Sequence, residues 1–377
     1  MDYMGLKVGI TGQSGFMGSH LCNFLKTKED QIEIIDFKRN FFESDVDLES
    51  FVKKCDVIVH IAAMNRHEDQ EVIYNTNVGL VKKLVNACEN TQTTPKILFS
   101  SSSQEDKDNL YGKSKRDGRQ LLENWSKETG GAVTSLIIPN VFGPFGKPNY
   151  NSFIATFCDK IIKGESPTII NDSLVNLIYI NELSEEFYKE IVLETKGVKT
   201  IRVEHTSSKK VSEILTLLKE YKASYYDEGK VPNTPINSFE LSLFNTFTSF
   251  ISKNYFPRKF IQHSDNRGAF VEIMRAGVSG QTSYSTTVPG ITRGNHYHTR
   301  KVERFAVISG KASIQLRKID SDEVFEYILD GDEPAYVDMP IWYTHNITNI
   351  GDTELITLFW INEPYDPKDA DTYFVEV

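Results

Sequence analysis

Cysteine is scarce and unpatterned in this sequence: Cys22, Cys55, Cys88 and Cys158 all fall in the first half, with no C-x-x-C pair. That excludes a disulfide framework and reads as buried thiols of a reduced compartment. No apolar run approaches the roughly 18 residues that a membrane span needs, and no signal-peptide pattern precedes Lys7. Positive charge is in deficit, with 42 Lys and Arg against 52 Asp and Glu and a net charge of −10. The deficit speaks against a general binder of nucleic acid or of anionic membranes. It leaves room for an anionic substrate held locally by backbone amides and a few Lys or Arg. Internal repeats and low-complexity runs are lacking too. What remains is ordinary globular composition, 40% apolar and 25% charged over 377 residues, enough for about two domains. The expectation is a soluble, cytoplasmic protein without nucleic-acid or membrane partners.

The N-terminus carries a strand-like run, Leu6 to Thr11, then Gly12-Gln13-Ser14-Gly15-Phe16-Met17-Gly18 and an amphipathic helix through Leu25. Glycines at these positions permit a tight turn, close approach of backbone to a pyrophosphate, and close helix–strand packing. The helix N-terminus adds free amides and the favourable end of its dipole. The spacing is G-x-x-G-x-x-G rather than G-x-G-x-x-G. A second strand, Ile32 to Asp36, ends on an acidic residue about 20 positions after the loop, where a ribose hydroxyl is expected. Asp36 favours NAD, whereas Lys38 and Arg39 suit a 2′-phosphate and favour NADP, so the cofactor choice stays divided.

Further strands are expected at Val57 to Ala63, Lys96 to Phe99 and Val133 to Ile138, with helices from Glu71 to Cys88 and Tyr111 to Thr129. Strands alternating with helices imply a doubly wound parallel sheet with ligands at the carboxyl ends of its strands. A serine run, Ser100 to Ser103, follows the fourth strand. Tyr111 and Lys115 then stand four apart, on one face of a helix. A nearby ammonium favours a phenolate, and such a Tyr can give a proton to a carbonyl oxygen while hydride reaches the carbon.

The glycine loop, serine run, Tyr111/Lys115 and Asn140-Val141-Phe142-Gly143-Pro144 together resemble the extended short-chain dehydrogenase/reductases, many of which act on nucleotide-activated sugars. The resemblance implies a Rossmann-like domain with Ser102 as catalytic Ser, Tyr111 as acid/base and Lys115 as its partner. Ser101 and Ser103 stay open as alternatives. It implies a cofactor-binding set of Gly12, Gly15, Phe16, Met17, Gly18, Asp36, Lys38, Arg39, Ala62, Asn77, Tyr111 and Lys115, with Asn77 supporting the lysine. Asn140 begins the loop that contacts the sugar nucleotide. A charged insert, Gln104 to Leu110, separates the serines from Tyr111 and departs from the family pattern.

Beyond Pro144 the signals weaken to helices at Phe153 to Ile162 and Ser212 to Tyr221 and a strand at Leu177 to Ile180. Near Phe256-Pro257 the pattern turns to short alternating strands, an all-β signature. The boundaries read as 1–253 for the reductase domain and 254–377 for the second. His296 and His298, two apart in a strand, share a face. With Glu303 and His345 they make a three-His, one-carboxylate set suited to Zn, Mn, Fe, Ni or Cu. The motifs from Gly290 to Gly310 and Pro340 to Asn349 resemble the cupin (jelly-roll) barrel, with Trp342 where a Gly is usual. Asp265 to Phe270 and Arg293 to Tyr297 resemble the metal-free deoxysugar 3,5-epimerases, in which the His at position 296 is the base. One nitrogen cannot both bind metal and abstract a proton. If the histidines are ligands, Lys301, Tyr343 and His263 are the other candidates for the base. Arg293 and His296 are the candidate substrate contacts here.

The whole chain resembles the CapF-type bifunctional enzymes of capsular polysaccharide synthesis, including the stretch Lys147 to Cys158 and the end Asp371 to Val377. That resemblance implies C3 epimerisation of a UDP-linked 2-acetamido-2,6-dideoxy-4-keto-hexose in the cupin. NADPH-dependent reduction at C4 would follow in the first domain, giving UDP-N-acetyl-6-deoxy-talosamine, a precursor of N-acetyl-L-fucosamine. A bound zinc and a homodimer are implied as well.

Overall fold

The computed structural model describes residues 5–235, 237–260, 262–265, 268–271, 280–363 and 366–377, with side chains outside 261–279. Two compact units emerge, one of residues 1–156 and 168–214, the other of 157–167 and 215–377. The helical stretch 215–253, which the sequence pattern groups with the first domain, clusters with the all-β region.

The first unit runs β1 (Leu6–Thr11), α1 (Phe16–Lys26), β2 (Ile32–Ile35), α2 (Asp45–Val52), β3 (Val57–His60), α3 (Gln70–Thr91), β4 (Lys96–Ser102), α4 (Leu110–Thr129) and β5 (Val133–Ile138). It continues with β6 (Asn140–Phe142), α5 (Phe153–Ile162), which straddles both units, β7 (Leu174–Tyr179), α6 (Ile180–Val192), β8 (Val198–Arg202) and β9 (Ser207–Lys210). Six strands form one parallel sheet in the order β2-β1-β3-β4-β5-β8. The order reverses between β1 and β3, and this switch point is where the carboxyl ends of strands open a crevice. The central strands are apolar and buried on both faces, as helices covering both sides of a sheet require. Phe37, Phe51, Ile58, Val81, Leu84, Phe99, Leu122 and Trp125 belong to one continuous core.

Two local outcomes bear on the site. β4 extends through Ser102 instead of ending at Phe99, so strand alternation sends Ser101 to the face opposite Ser100 and Ser102. β8 completes the sheet although its sequence, Val-Lys-Thr-Ile-Arg, gave no strand signal; it is a short, half-exposed edge.

In the second unit, α7 (Val211–Tyr221, whose first four residues group with the first unit), a π-helical turn at Lys222–Asp227 and α8 (Phe239–Thr248) precede the strands. These are β10 (Arg258–Lys259), β11 (Gln262–Asp265), β12 (Gly268–Val271), β13 (Gln281–Thr287), β14 (Thr292–Tyr297), β15 (Glu303–Ser309) and β16 (Lys311–Lys318). They are followed by β17 (Val324–Asp330), β18 (Ala335–Met339), β19 (Tyr343–Asn349), β20 (Leu355–Ile361) and β21 (Tyr373–Phe374). Two antiparallel five-stranded sheets, β10-β18-β15-β20-β13 and β17-β16-β19-β14-β21, make a cupin-like jelly roll, with β11-β12 as a separate hairpin. The preceding helical stretch is tied to the first of these sheets by Tyr225, which donates its hydroxyl to Asp338, and by the Gly229 carbonyl oxygen, which accepts from Arg304 at 2.9 Å. Arg304 and Asp338 are themselves a buried pair across neighbouring strands of that sheet. Trp342 adopts φ +61°, so it meets the turn a Gly usually makes, and its buried ring stacks on Tyr297 at 5.6 Å.

Candidate functional site

The glycine loop closes β1 onto α1. Gly12 has φ +77°, and a Cβ there would lie 2.9 Å from the Ala62 backbone. At Gly18 a Cβ would lie 2.1 Å from the Gly12 carbonyl oxygen, so the helix can pack on the loop only without a side chain. Gly15, Phe16 and Met17 form the entry to α1, whose N-cap carries no side-chain bond. Those first amides are the groups a diphosphate can accept from. The Ala62 N–H donates to Thr11 Oγ1 at 3.3 Å, closing the loop against the end of β3. Asp36 follows β2 and accepts from Gln13 Nε2 at 2.7 Å, while Lys38 and Arg39 stand exposed beside it.

At the end of β4 the hydroxyls part company. Ser101 donates to the buried Glu105, which is held by a bidentate Arg119 pair 2.8 Å away at closest. Ser102 instead accepts from Gln104 N at 3.2 Å and is a hydrogen-bond partner of Tyr111. Ser103 opens the following 3-10 turn. The charged insert is therefore an anchor: Glu105 turns inward and pins β4 to α4. Sequence reasoning missed this residue, because an acidic residue in a charged loop reads as solvated.

Asn109 caps α4, its Oδ1 accepting from Gly112 N at 2.7 Å, which sets Tyr111 and Lys115 in the first two turns. Lys115 is buried, its Nζ 5.9 Å from the Tyr111 ring centre and 2.9 Å from the Ser100 carbonyl oxygen. Burial brings its pKa down to about 8, with Glu105 pulling the other way. Burial pushes the Tyr111 phenol up to about 12, opposed by the Ser102 hydrogen bond, so desolvation outweighs the cationic effect expected from the spacing. Tyr150 lies close enough to add to that rise. His60, buried at the end of β3, is driven down to about 3 by burial and then by Lys115, and shares a 2.8 Å hydrogen bond with Thr11 Oγ1. Asn77 binds Met64 N, Met64 O and Ser114 Oγ at 2.7, 3.0 and 3.1 Å, tying α3 to α4 one residue from Lys115. Asn140 donates to the Asn176 carbonyl oxygen at 3.1 Å.

In the barrel, His296 on β14 faces His345 on β19, ring centres 4.6 Å apart, and His298 lies 5.0 Å from His296. Glu303 opens β15 and brings Oε2 to 3.0 Å from His345 Nε2 and 3.4 Å from His298 Nε2. One donor atom from each of the four lies within 4.8 Å of the other three. Burial would raise the Glu303 carboxyl, but the facing His298 and His345 rings outweigh it and hold it well below the usual range. His296 is pushed down to about 4 by burial and by its two histidine neighbours. His298 Nε2 is buried without a hydrogen-bond partner. A buried orphan nitrogen among two imidazoles and a carboxylate fits a borderline cation such as zinc, which takes N and O donors.

The other candidates for the base are differently placed. Lys301 is buried, donating to the Ala370 carbonyl oxygen at 2.6 Å and lying 3.6 Å from Glu363. Tyr343 is buried under the Lys253 ammonium, 3.7 Å above its ring. The His263 side chain and Arg267 lie outside the described residues, while Arg293 is exposed and donates to the Thr286 carbonyl oxygen at 3.1 Å.

Comparison with known proteins matches residues 8–189 to the NAD dependent epimerase/dehydratase family and 263–373 to a polysaccharide biosynthesis C-terminal domain. The UDP-2-acetamido-2,6-beta-L-arabino-hexul-4-ose reductase of Pseudomonas aeruginosa is 34% identical over 99% of both chains. The crystal structure of the capsular polysaccharide assembling protein CapF from Staphylococcus aureus superposes with a TM-score of 0.60, at 38% identity over 98% of this chain and all of that one. A UDP-glucose 4-epimerase from Thermotoga maritima, 19% identical with a TM-score of 0.55 over 65% of this chain and 98% of its own, shares the fold. A reductase-type nucleotide-binding sheet and a cupin-like barrel, matched end to end at this identity, place the chain in the family of CapF and the UDP-2-acetamido-2,6-beta-L-arabino-hexul-4-ose reductases.

Proposed function

We propose that the chain is a bifunctional nucleotide-sugar enzyme, with reduction assigned to residues 1–253 and epimerisation to the cupin, 254–377. The substrate is a UDP-linked 2-acetamido-2,6-dideoxy-4-keto-hexose, epimerised at C3 and then reduced at C4 to UDP-N-acetyl-6-deoxy-talosamine for capsular polysaccharide. The observation that carries this reading is the convergence of Ser102, Tyr111 and Lys115 at the carboxyl end of β4, in the parallel sheet whose first strand leads into the glycine loop, in a chain 34% identical over its length to a UDP-2-acetamido-2,6-beta-L-arabino-hexul-4-ose reductase.

The order of steps follows from carbonyl chemistry. A C4 ketone acidifies the C3 proton because the carbanion delocalises to an enolate, so epimerisation precedes reduction. Bound NADPH supplies the hydride, and zinc in the barrel supplies Lewis acidity or a fixed pin for the strands. In the first domain Ser102 orients the C4 oxygen by a hydrogen bond. Tyr111, protonated at neutral pH because burial holds its phenol high, gives that oxygen its proton as hydride arrives. Lys115, charged at neutral pH, stabilises the phenolate left behind. The first amides of α1 and Lys38 or Arg39 bind the phosphates of NADPH. Asn140, Arg293 and His296 are assigned to substrate. The working form is a homodimer.

A second reading has a specific support: all four of His296, His298, Glu303 and His345 are engaged with one another, as in a structural metal site. In that case the protein is a 4-ketoreductase with a metal-pinned barrel. Proton NMR of the 4-keto substrate in D2O separates the two. Deuterium entering at C3 without NADPH, followed by a 4-hydroxy product once NADPH is added, supports both activities. Direct reduction without exchange leaves the barrel structural.

A further inference from the structure

We infer that residues 369–376 are a strap serving the metal cluster and that Asp371 is its positioning residue, setting the tautomer and orientation of His298. This rests on the metal-site reading proposed above. The Asp371 side chain is almost fully buried, and its carboxylate accepts the backbone N–H groups of Thr299, Arg300 and Lys301 at 3.0–3.2 Å and the Thr299 hydroxyl at 2.7 Å. Four donors on one carboxylate clamp the turn that leaves His298. The backbone carbonyl of the same residue meets His298 Nδ1.

A carbonyl oxygen only accepts, so the proton sits on Nδ1 and the neutral ring presents its lone pair at Nε2. Nε2 is the orphan nitrogen that faces Glu303. Outer partners of this kind fix a ligand imidazole and raise its basicity. Asp371 holds φ +45°, which directs its side chain and its carbonyl to the same turn.

The rest of the strap engages the other ligands' strands. Phe374 pairs with His296, Val375 N donates to the Asn295 carbonyl oxygen at 2.9 Å, and Thr344, next to His345, donates its hydroxyl to the Val375 carbonyl oxygen. Arg300 adds a 2.7 Å bond to Asp369, and Lys301 one to the Ala370 carbonyl oxygen. A clasp that served only to tidy the chain would have no reason to end on the ring nitrogen of a ligand.

The test uses the full chain, stripped with a chelator and titrated with Zn(II) against a chromophoric competitor, alongside 15N spectra of the metal-free imidazoles. Wild-type protein is expected to take up one zinc and to show His298 protonated at Nδ1. Asp371→Asn and Asp371→Gly, both tolerant of a positive φ, should keep one site but bind about 10–100-fold more weakly. Thr299→Val, which removes a single hydroxyl, should shift affinity in the same direction by less and covers the case in which the glycine variant fails to fold. Cobalt-loaded Asp371→Gly should show an altered ligand-field spectrum. Zinc affinity within twofold of wild type in the Asp371 variants overturns the inference. If wild-type protein takes up no zinc, the metal reading falls; His298 keeping its Nδ1 proton in metal-free Asp371→Gly then overturns the strap's role on its own.

Discussion

Lys115 points its ammonium at the Ser100 carbonyl oxygen, 2.9 Å away, while holding it 5.9 Å from the centre of the Tyr111 ring. The lysine thus shares the phenol's surroundings without bonding to it. Tyr111 meets Ser102 instead, and the phenol stays protonated. This division of labour suits the reductive direction, in which the phenol must start with its proton.

Tyr111→Phe keeps the ring and its packing and removes only the proton donor. NADPH oxidation should fall by about 10²–10⁴-fold, the range for a lost general acid, while deuterium exchange at C3 proceeds as in wild type. Reduction at the wild-type rate would remove Tyr111 from the chemistry.

The alkaline behaviour follows from Lys115. Its pKa lies below the ordinary lysine value because burial disfavours the charge, so the folded enzyme loses that charge as pH rises through about 8. Below that value the ammonium is present and kcat/KM for reduction should be level; above it the rate should drop about tenfold per pH unit. Lys115→Arg, which cannot deprotonate, should run slower and lose this limb up to about pH 10. A wild-type profile level to pH 10 would contradict the assignment.

Gly18→Ala brings a methyl group to 2.1 Å from the Gly12 carbonyl oxygen, a backbone atom that cannot swing aside. The loop and α1 must separate. NADPH affinity, read by fluorescence titration, should weaken by at least about tenfold, or roughly 1.4 kcal/mol. Melting of the barrel should not change.

The buried Arg304–Asp338 pair, with contacts at 2.7 and 3.0 Å, tests a different layer. Asp338→Ala leaves a buried guanidinium unpaired and should cost about 3–5 kcal/mol, seen in calorimetry as an earlier transition of the second unit. The double variant Arg304→Met/Asp338→Leu should recover most of that loss, because apolar packing can replace a buried pair. No recovery would show that the Tyr225 contact, and not the pair, carries the joint.

Much of the architecture is legible in the residues because the signals are local and repeated. The apolar runs of β1, β3 and β5, the glycine loop and the four-residue spacing of Tyr111 and Lys115 each depend on a few neighbours in the chain. The His296, His298, Glu303 and His345 set was legible for a related reason: strand periodicity and motif spacing project the four donors to one place. The short edge strand β8 and the grouping of 215–253 with the barrel were not legible, since neither carries a strong period and both depend on what packs beside them.

By itself, then, the sequence carried the alternation of strands and helices around the glycine loop, the all-β pattern after it, and the side chains proposed for proton transfer and metal binding. The tertiary structure decided which serine joins Tyr111, because strand alternation and the buried Glu105 turn Ser101 away. It decided the direction of the Tyr111 shift, because burial of the phenol outweighs the nearby cation. It also brought Asp371 to His298 across 73 residues of chain. Local sequence encodes periodicity and bond-forming groups, whereas desolvation and long-range hydrogen bonds exist only once distant segments have met.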